Sequence, residues 1–226
     1  METLGNRMKN NYENRYRFKL TRRMPVIIRL DGKAFHTLTR KCDKPFDEKF
    51  QLCMVDTAIS LCSNIQGVKL AYTQSDEISL LITDFDTLKT DAWFDYNIQK
   101  MCSVSAGIAS TSFSSSWYSH GIFDSRVFNI PKEEVCNYFI WRQKDWQRNS
   151  IQMLSQSYFS HKQLHKKKTS DMHEMLHDIG INWANLDYKW KNGVSMYKVE
   201  TTWITDSKVI FTEDRNITEQ YLETIE

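Results

Sequence analysis

Hydrophobic and polar positions along this chain fall into short apolar runs and longer helical stripes. Val26-Ile-Ile-Arg-Leu30, between Pro25 and Asp31-Gly32, predicts a strand. Pro45 predicts the start of a helix. Phe46, Phe50, Cys53, Thr57 and Leu61 follow at helical spacing, with Asp47 and Glu48 in the first turn and Gly67 as the stop. Val68-Lys-Leu-Ala-Tyr72 alternates as a strand does. A polar turn, Thr73 to Glu77, then leads into the apolar strand Ile78-Ser-Leu-Leu-Ile82. Phe94, Ile98, Met101 and Ile108 predict a helix over about 90–117, and Ile122 to Ile130 alternates again. Pro131 opens another long helix, through about 157.

Read in order, 26–130 is β-α-β-β-α-β, the ferredoxin-like split pattern, which makes the chain an α+β protein. That topology places the first and third strands centrally and the second and fourth at the edges. The first and third are continuous apolar runs, and the other two alternate like half-exposed edges. Residues 131–226 are expected to form a helical extension, with a basic loop at 160–170 and a C-terminal hairpin pairing Val194–Val199 with Val209–Phe211. No low-complexity linker divides these parts, so 1–226 is read as one compact unit.

Composition adds little to the fold and more to the partner. The chain has 226 residues, 41% hydrophobic and 13% aromatic, with 30 Lys+Arg against 28 Asp+Glu, so a disordered tail is excluded. The apolar runs are too short to cross a membrane, and Met1 to Asn11 lacks a signal-like core. Five cysteines with no CxxC fit buried free thiols and a cytoplasmic product. The near-balanced total conceals segregation: residues 7–41 hold eleven basic residues against two acids, and 141–170 hold seven against Asp145 alone. The stretch 200–226 is acidic. Either basic segment is a candidate phosphate-binding surface or a solvated face, and both interleave aromatics that suit base stacking or core packing.

The topology also collects carboxylates. Asp31 ends the first strand, and Asp76 and Glu77 begin the third, its antiparallel neighbour, so residues far apart in sequence meet at one rim. Asp-Gly and Ser-Asp-Glu are common turn sequences on their own. Together they form a cluster of hard oxygens of the kind that holds Mg²⁺ for phosphoryl or nucleotidyl transfer. Gly32 to His36 offers backbone N–H groups for a triphosphate, and Lys33, Lys44 and Arg29 offer charge.

Four ordered motifs, Arg29-Leu-Asp-Gly-Lys-Ala-Phe-His36, Lys44-Pro-Phe-Asp47, Tyr72-Thr-Gln-Ser-Asp-Glu-Ile-Ser79 and Trp141-Arg-Gln143, closely resemble the tRNA-His guanylyltransferase superfamily, the 3′-to-5′ reverse polymerases. The resemblance implies a polymerase-like palm over 26–130, with 131–226 contributing to tRNA binding. It also implies two Mg²⁺ ions, GTP and ATP as nucleotides, and a homotetramer built as a dimer of dimers. Carried over by position, Asp31, Asp76 and the Gly32 backbone resemble the metal set, with Glu77 assisting as a catalytic acid. Gly32, Lys33, Ala34, Phe35, His36, Lys44, Asp47 and Ser75 resemble the nucleotide contacts. Arg7, Lys9 and Arg29 in the first basic segment, and Arg142, Arg148, Asn149, Lys162, Lys166 and Lys167 in and around the second, are the candidate RNA contacts.

Members that guanylylate tRNA-His carry His-x-Asn-Asn soon after Trp-Arg-Gln. Here those positions read Gln147-Arg-Asn-Ser150, which resembles the branch that restores missing 5′ nucleotides of truncated tRNA. Leu4-Gly-Asn-Arg-Met-Lys9 and Gly180-Ile-Asn-Trp183 are similar to that branch as well. The rival readings are a nucleotide cyclase, which uses a palm with the same acids but needs no RNA surface, and a non-catalytic RNA-binding protein with a palm fold.

Overall fold

The computed structural model describes residues 2–223. One antiparallel sheet organises them, with strands β1 (Val26–Gly32), β2 (Val68–Gln74), β3 (Glu77–Ile82), β4 (Phe123–Asn129), β5 (Val194–Val199) and β6 (Thr202–Asp206) in the order β4-β1-β3-β2-β5-β6. The first four are in ferredoxin-like order. The helices named below are α1 (Leu4–Asn11), α2 (Phe35–Leu38), α3 (Glu48–Asn64), α4 (Ile98–Trp117), α5 (Lys132–Tyr158), α6 (His161–Leu164), α7 (Thr169–Asp178) and α8 (Tyr188–Asn192).

The central strands are apolar throughout because both faces of the sheet are covered. Val26, Ile28, Leu30, Ile78, Leu80 and Ile82 pack with residues of α3 and α4, where Phe35, Phe50, Phe113 and Phe123 form a ring cluster. Ile27, Leu70, Tyr72 and Leu81 face the other way onto Val135, Tyr138 and Phe139 of α5. Each such side chain contributes about 1.5–3 kcal/mol by leaving water. A third cluster, Ile151, Leu164 and Met172, ties α6 and α7 to the far half of α5.

Four expectations need correction. The second strand is not an edge: Leu70 to Thr73 pair with Tyr197 to Val194, which moves that edge of the sheet out to β6. The register shift between Val68 and Leu70 turns Lys69 outward to pair with Asp86, and this produced the edge-like alternation. The hairpin partner of β5 is Thr202–Asp206, not Val209–Phe211, whose apolar side chains instead pack beneath α5. Helix α4 begins at Ile98, with the Asn97 side chain accepting from the Lys100 N–H; a single 3₁₀ turn, with Phe94 and Asp95 at positive φ, precedes it. Helix α3 begins at Glu48 rather than Pro45, because the Asp47 side chain accepts from the Phe50 N–H as its N-cap.

All five cysteines are free; Cys53, Cys62 and Cys136 are buried, and Cys42 and Cys102 half-buried. Among the described residues no helix is long and apolar enough to cross a membrane.

Candidate active site at the rim of the sheet

Register decides which acids meet. Asp31 on β1 lies opposite Glu77 on β3 and opposite Asp124 on β4, so three carboxylates form a row across three strands on the α5 face. Asp76 occupies the turn between β2 and β3, where its carbonyl accepts from the Gly32 N–H at 3.0 Å and locks the turn to the end of β1. Ser75, at φ 48°, makes that turn and donates to the Asp76 carboxylate at 3.2 Å. Burial, with Asp31 and Glu77 close by, raises the Asp76 carboxyl above the usual carboxylate range. Crowded acids of this kind favour a bound cation.

Glu77 differs from the other two. It is 5% exposed; its oxygens accept from Arg142 Nε at 2.6 Å and Arg142 Nη2 at 2.7 Å, and Arg29 Nη2 forms an ion pair with it at 2.7 Å. Arg29 Nη2 also lies 3.5 Å from Asp31. The Glu77 charge is therefore met by two guanidiniums in a buried ion-pair network, which sets this acid apart from Asp31 and Asp76. Burial works to lower the Arg142 pKa, but its hydrogen bonds and charge contact with Glu77 outweigh that and raise it. Among the described residues no group of three or more His, Cys, Asp or Glu side chains is spaced to hold a metal unaided. Asp31 and Asp76 would need backbone and substrate oxygens to complete a coordination shell, which suits Mg²⁺, a cation that keeps several non-protein ligands.

The segment after Asp31 is shaped by Phe35. A Cβ on Gly32 would stand 2.5 Å from the Phe35 ring, so glycine alone lets that ring fold under the chain. Phe35 is thereby a core residue whose ring also borders the neighbouring pocket, and what it offers a nucleotide is its backbone N–H. The N–H groups of Gly32 and Lys33 are also spent, on Asp76 and Ile122 carbonyls. Those of Ala34, Phe35 and His36, at the start of α2, have no acceptor among the described residues.

Beside Asp76 opens a pocket of about 250 Å³ lined by His36, Lys44, Phe46, Gln74, Ser75, Trp146 and Trp190 among others. Phe46 stacks on Trp190 at 4.9 Å and 7°, and meets Trp146 edge-on at 6.3 Å. Lys189, which lines the pocket, pairs with Glu48 of α3 at 2.6 Å. Gln74 Oε1 and Trp146 Nε1 are buried without partners, an arrangement a polar ligand would relieve. Asp47 also lines the pocket; it accepts from the Phe50 and Asp43 N–H groups, which overcome burial and hold its carboxyl low. Lys44 is exposed. Gln74 stood unremarked within a quoted motif, whereas Trp190 and Lys189 carried no local signal, being brought in by α8.

The basic candidates divide by place. Arg142 is buried under Glu77, so it cannot meet RNA directly, and Arg29 is largely enclosed in the same network. Arg148 is exposed and Asn149 half-buried on α5. Lys162, Lys166 and Lys167 are exposed beyond the end of α5, roughly 25 Å of helix from Arg142. Arg7 and Lys9 lie on α1, which buries no residue.

A ferredoxin-like sheet with paired acids at its rim and an aromatic pocket beside them defines a palm-type nucleotidyltransferase. The family model for Thg1, tRNAHis guanylyltransferase, matches residues 5–131, and the chain belongs to that family. A bacterial tRNA(His) guanylyltransferase-like protein solved with ATP is 43% identical, with a TM-score of 0.93 over 98% of this chain and 99% of that one. Its counterpart solved with GTP is 41% identical, with a TM-score of 0.88 over the same shares. The tRNA(His) guanylyltransferase of Schizosaccharomyces pombe is 25% identical over 83% of this chain and 77% of its own length. An uncharacterised protein of Acanthamoeba polyphaga mimivirus is 29% identical over 93% of this chain and 84% of its own.

Proposed function

We propose that this enzyme extends the 5′ end of tRNA in the 3′-to-5′ direction, restoring nucleotides lost from truncated molecules. The observation that carries this reading is the adjacency of Asp31 and Asp76 to a pocket holding two unpartnered polar atoms. The 3′-hydroxyl of a nucleoside triphosphate attacks the 5′ α-phosphorus of the RNA; the new P–O bond forms as pyrophosphate leaves a 5′-triphosphate, or AMP leaves an adenylylated 5′ end. Two Mg²⁺ ions held by Asp31, Asp76 and the Gly32 backbone would lower the pKa of that hydroxyl and neutralise the triphosphate. Ser75, Lys44 and the N–H groups from Ala34 to His36 face the phosphates, and the Phe46–Trp190 stack encloses the base.

Gln147-Arg-Asn-Ser150, where dedicated tRNA-His enzymes carry His-x-Asn-Asn, favours repair over guanylylation of tRNA-His. The complexes of the two bacterial relatives with ATP and GTP support both nucleotides as ligands. We assign the working form as a homotetramer, to be read by sedimentation. The deciding assay incubates the protein with Mg²⁺, labelled GTP and a tRNA lacking its first nucleotide. A one-nucleotide extension is expected; a cyclic nucleotide, or retardation of RNA without product, overturns the assignment.

A further inference from the structure

Trp141 is 53% exposed, and no other tryptophan here is among the exposed large apolar residues. Leaving an indole in water forgoes hydrophobic stabilisation, yet this one is held in place. Tyr138 meets it edge-on at 5.9 Å and 71°, the Arg142 guanidinium lies 4.4 Å from its centroid, and that of Arg29 lies 5.9 Å away. Arg142 cannot swing aside, because Glu77 grips it with two bonds. The ring is thus oriented before any ligand arrives, which reduces the entropy lost on stacking.

Arg29 measures how far the ring is from the chemistry. The same guanidinium that approaches the indole reaches Asp31 at 3.5 Å, which puts Trp141 within one nucleotide's reach of the reacting acids. Trp141, Lys144 and Arg148 recur at i, i+3 and i+7 on α5, all exposed, with Arg148 ion-paired to Asp145, so two cationic side chains lead away from the ring along one helix face. An open aromatic followed by cations is how single-stranded nucleic acid is held without sequence readout.

We propose that Trp141 is the stacking platform for the base of the RNA's 5′-terminal nucleotide, placing its phosphorus at Asp31 and Asp76, with Lys144 and Arg148 on the following phosphates. This rests on the 5′-extension reading above. Binding is followed with a 5′-triphosphorylated tRNA carrying 2-aminopurine at its first nucleotide. The unsubstituted protein should quench its fluorescence. Trp141→Leu should abolish the quench and raise the KM for RNA about ten-fold with the KM for GTP unchanged, while Trp141→Phe restores most of both. Lys144→Ala and Arg148→Ala should flatten the salt dependence of RNA binding and keep the quench.

Equal losses in the Leu and Phe variants, or a quench that survives in Trp141→Leu, overturn the platform and leave 5′ extension standing. Independently of any variant's folding, 5-iodouridine at the first nucleotide should photocrosslink to Trp141 in the unsubstituted protein; crosslinking elsewhere overturns the placement. An unsubstituted protein that binds no RNA removes the 5′-extension reading and the platform with it.

Discussion

Replacing Arg142 with Met tests whether Glu77 is an ion-pair residue or a metal ligand. The two side chains are 4% and 5% exposed, and the substitution removes both short bonds to Glu77 and the contact with Asp145, while Arg29 keeps its ion pair with Glu77. Stripping one partner from a buried pair typically costs about 3–5 kcal/mol, because the other charge is left without compensation. The remaining Arg29 contact argues for the lower end, about 3 kcal/mol. At this chain length each kcal/mol moves the melting temperature by about 2–4 °C, so a fall of about 6–12 °C is expected. Urea unfolding followed by circular dichroism, in EDTA and again in excess Mg²⁺, supplies the measurement. Arg142→Met and Glu77→Gln should each lose similar stability in both buffers, and the double variant should lose clearly less than their sum. A Glu77→Gln protein within about 0.5 kcal/mol of the original, but no longer stabilised by Mg²⁺, would refute the ion-pair assignment and return Glu77 to the metal.

Four further outcomes follow from the site. Asp31→Ala and Asp76→Ala should abolish nucleotide addition in the extension assay while leaving the circular dichroism spectrum unchanged. The raised Asp76 carboxyl keeps its proton in the folded protein at pH values where the unfolded chain has lost it. Metal-free protein should therefore lose stability as pH rises from the ordinary carboxylate value through the raised one, a slope that Asp76→Asn removes in melting curves taken in EDTA. Lys44→Ala should raise the KM for nucleoside triphosphate more than it weakens tRNA binding, as steady-state kinetics beside a filter-binding titration would show. Gln143→Leu leaves the Phe211 N–H and the Val209 carbonyl without partners, while the Asn192 carbonyl keeps the Tyr72 hydroxyl. At about 1–3 kcal/mol for each buried group left unsatisfied, limited proteolysis should cut near residues 207–213 first.

The parts of this fold that were legible in the sequence were those decided by local pattern. The apolar runs of β1 and β3 announce burial on two faces, and the antiparallel adjacency that their order implies brings Asp31 and Asp76 to one rim. What escaped was decided at long range. Nothing near Leu70 to Thr73 tells that the much later Val194–Val199 will pair with them, and a bulge at Lys69 imitates an edge. Val209–Phe211 has the composition of a strand, but Gln143 meets its Val209 carbonyl and Phe211 N–H while Asp214, Glu213 and Cys136 meet Ile210 and the Phe211 carbonyl, so it needs no ladder. Glu77 and Arg142 were both singled out as functional groups, one for the metal and one for RNA. The fold pairs them with each other, and residue type alone cannot tell a free charge from a paired one.

The addition of β5 and β6 has a consequence for timing. With β5 beside β2, the strands carrying Asp31 and Glu77 lie two or more places in from β6, and each has a hydrogen-bonded neighbour on both sides. Amide hydrogens there should exchange only when the whole molecule opens, whereas the roof of the pocket, on the 42–47 loop and the five-residue α8, is attached through side chains and can breathe far more often. The reacting acids would then stand on a slow floor beneath a fast ceiling. Nucleotides could come and go many times in the interval over which the acids hold one arrangement.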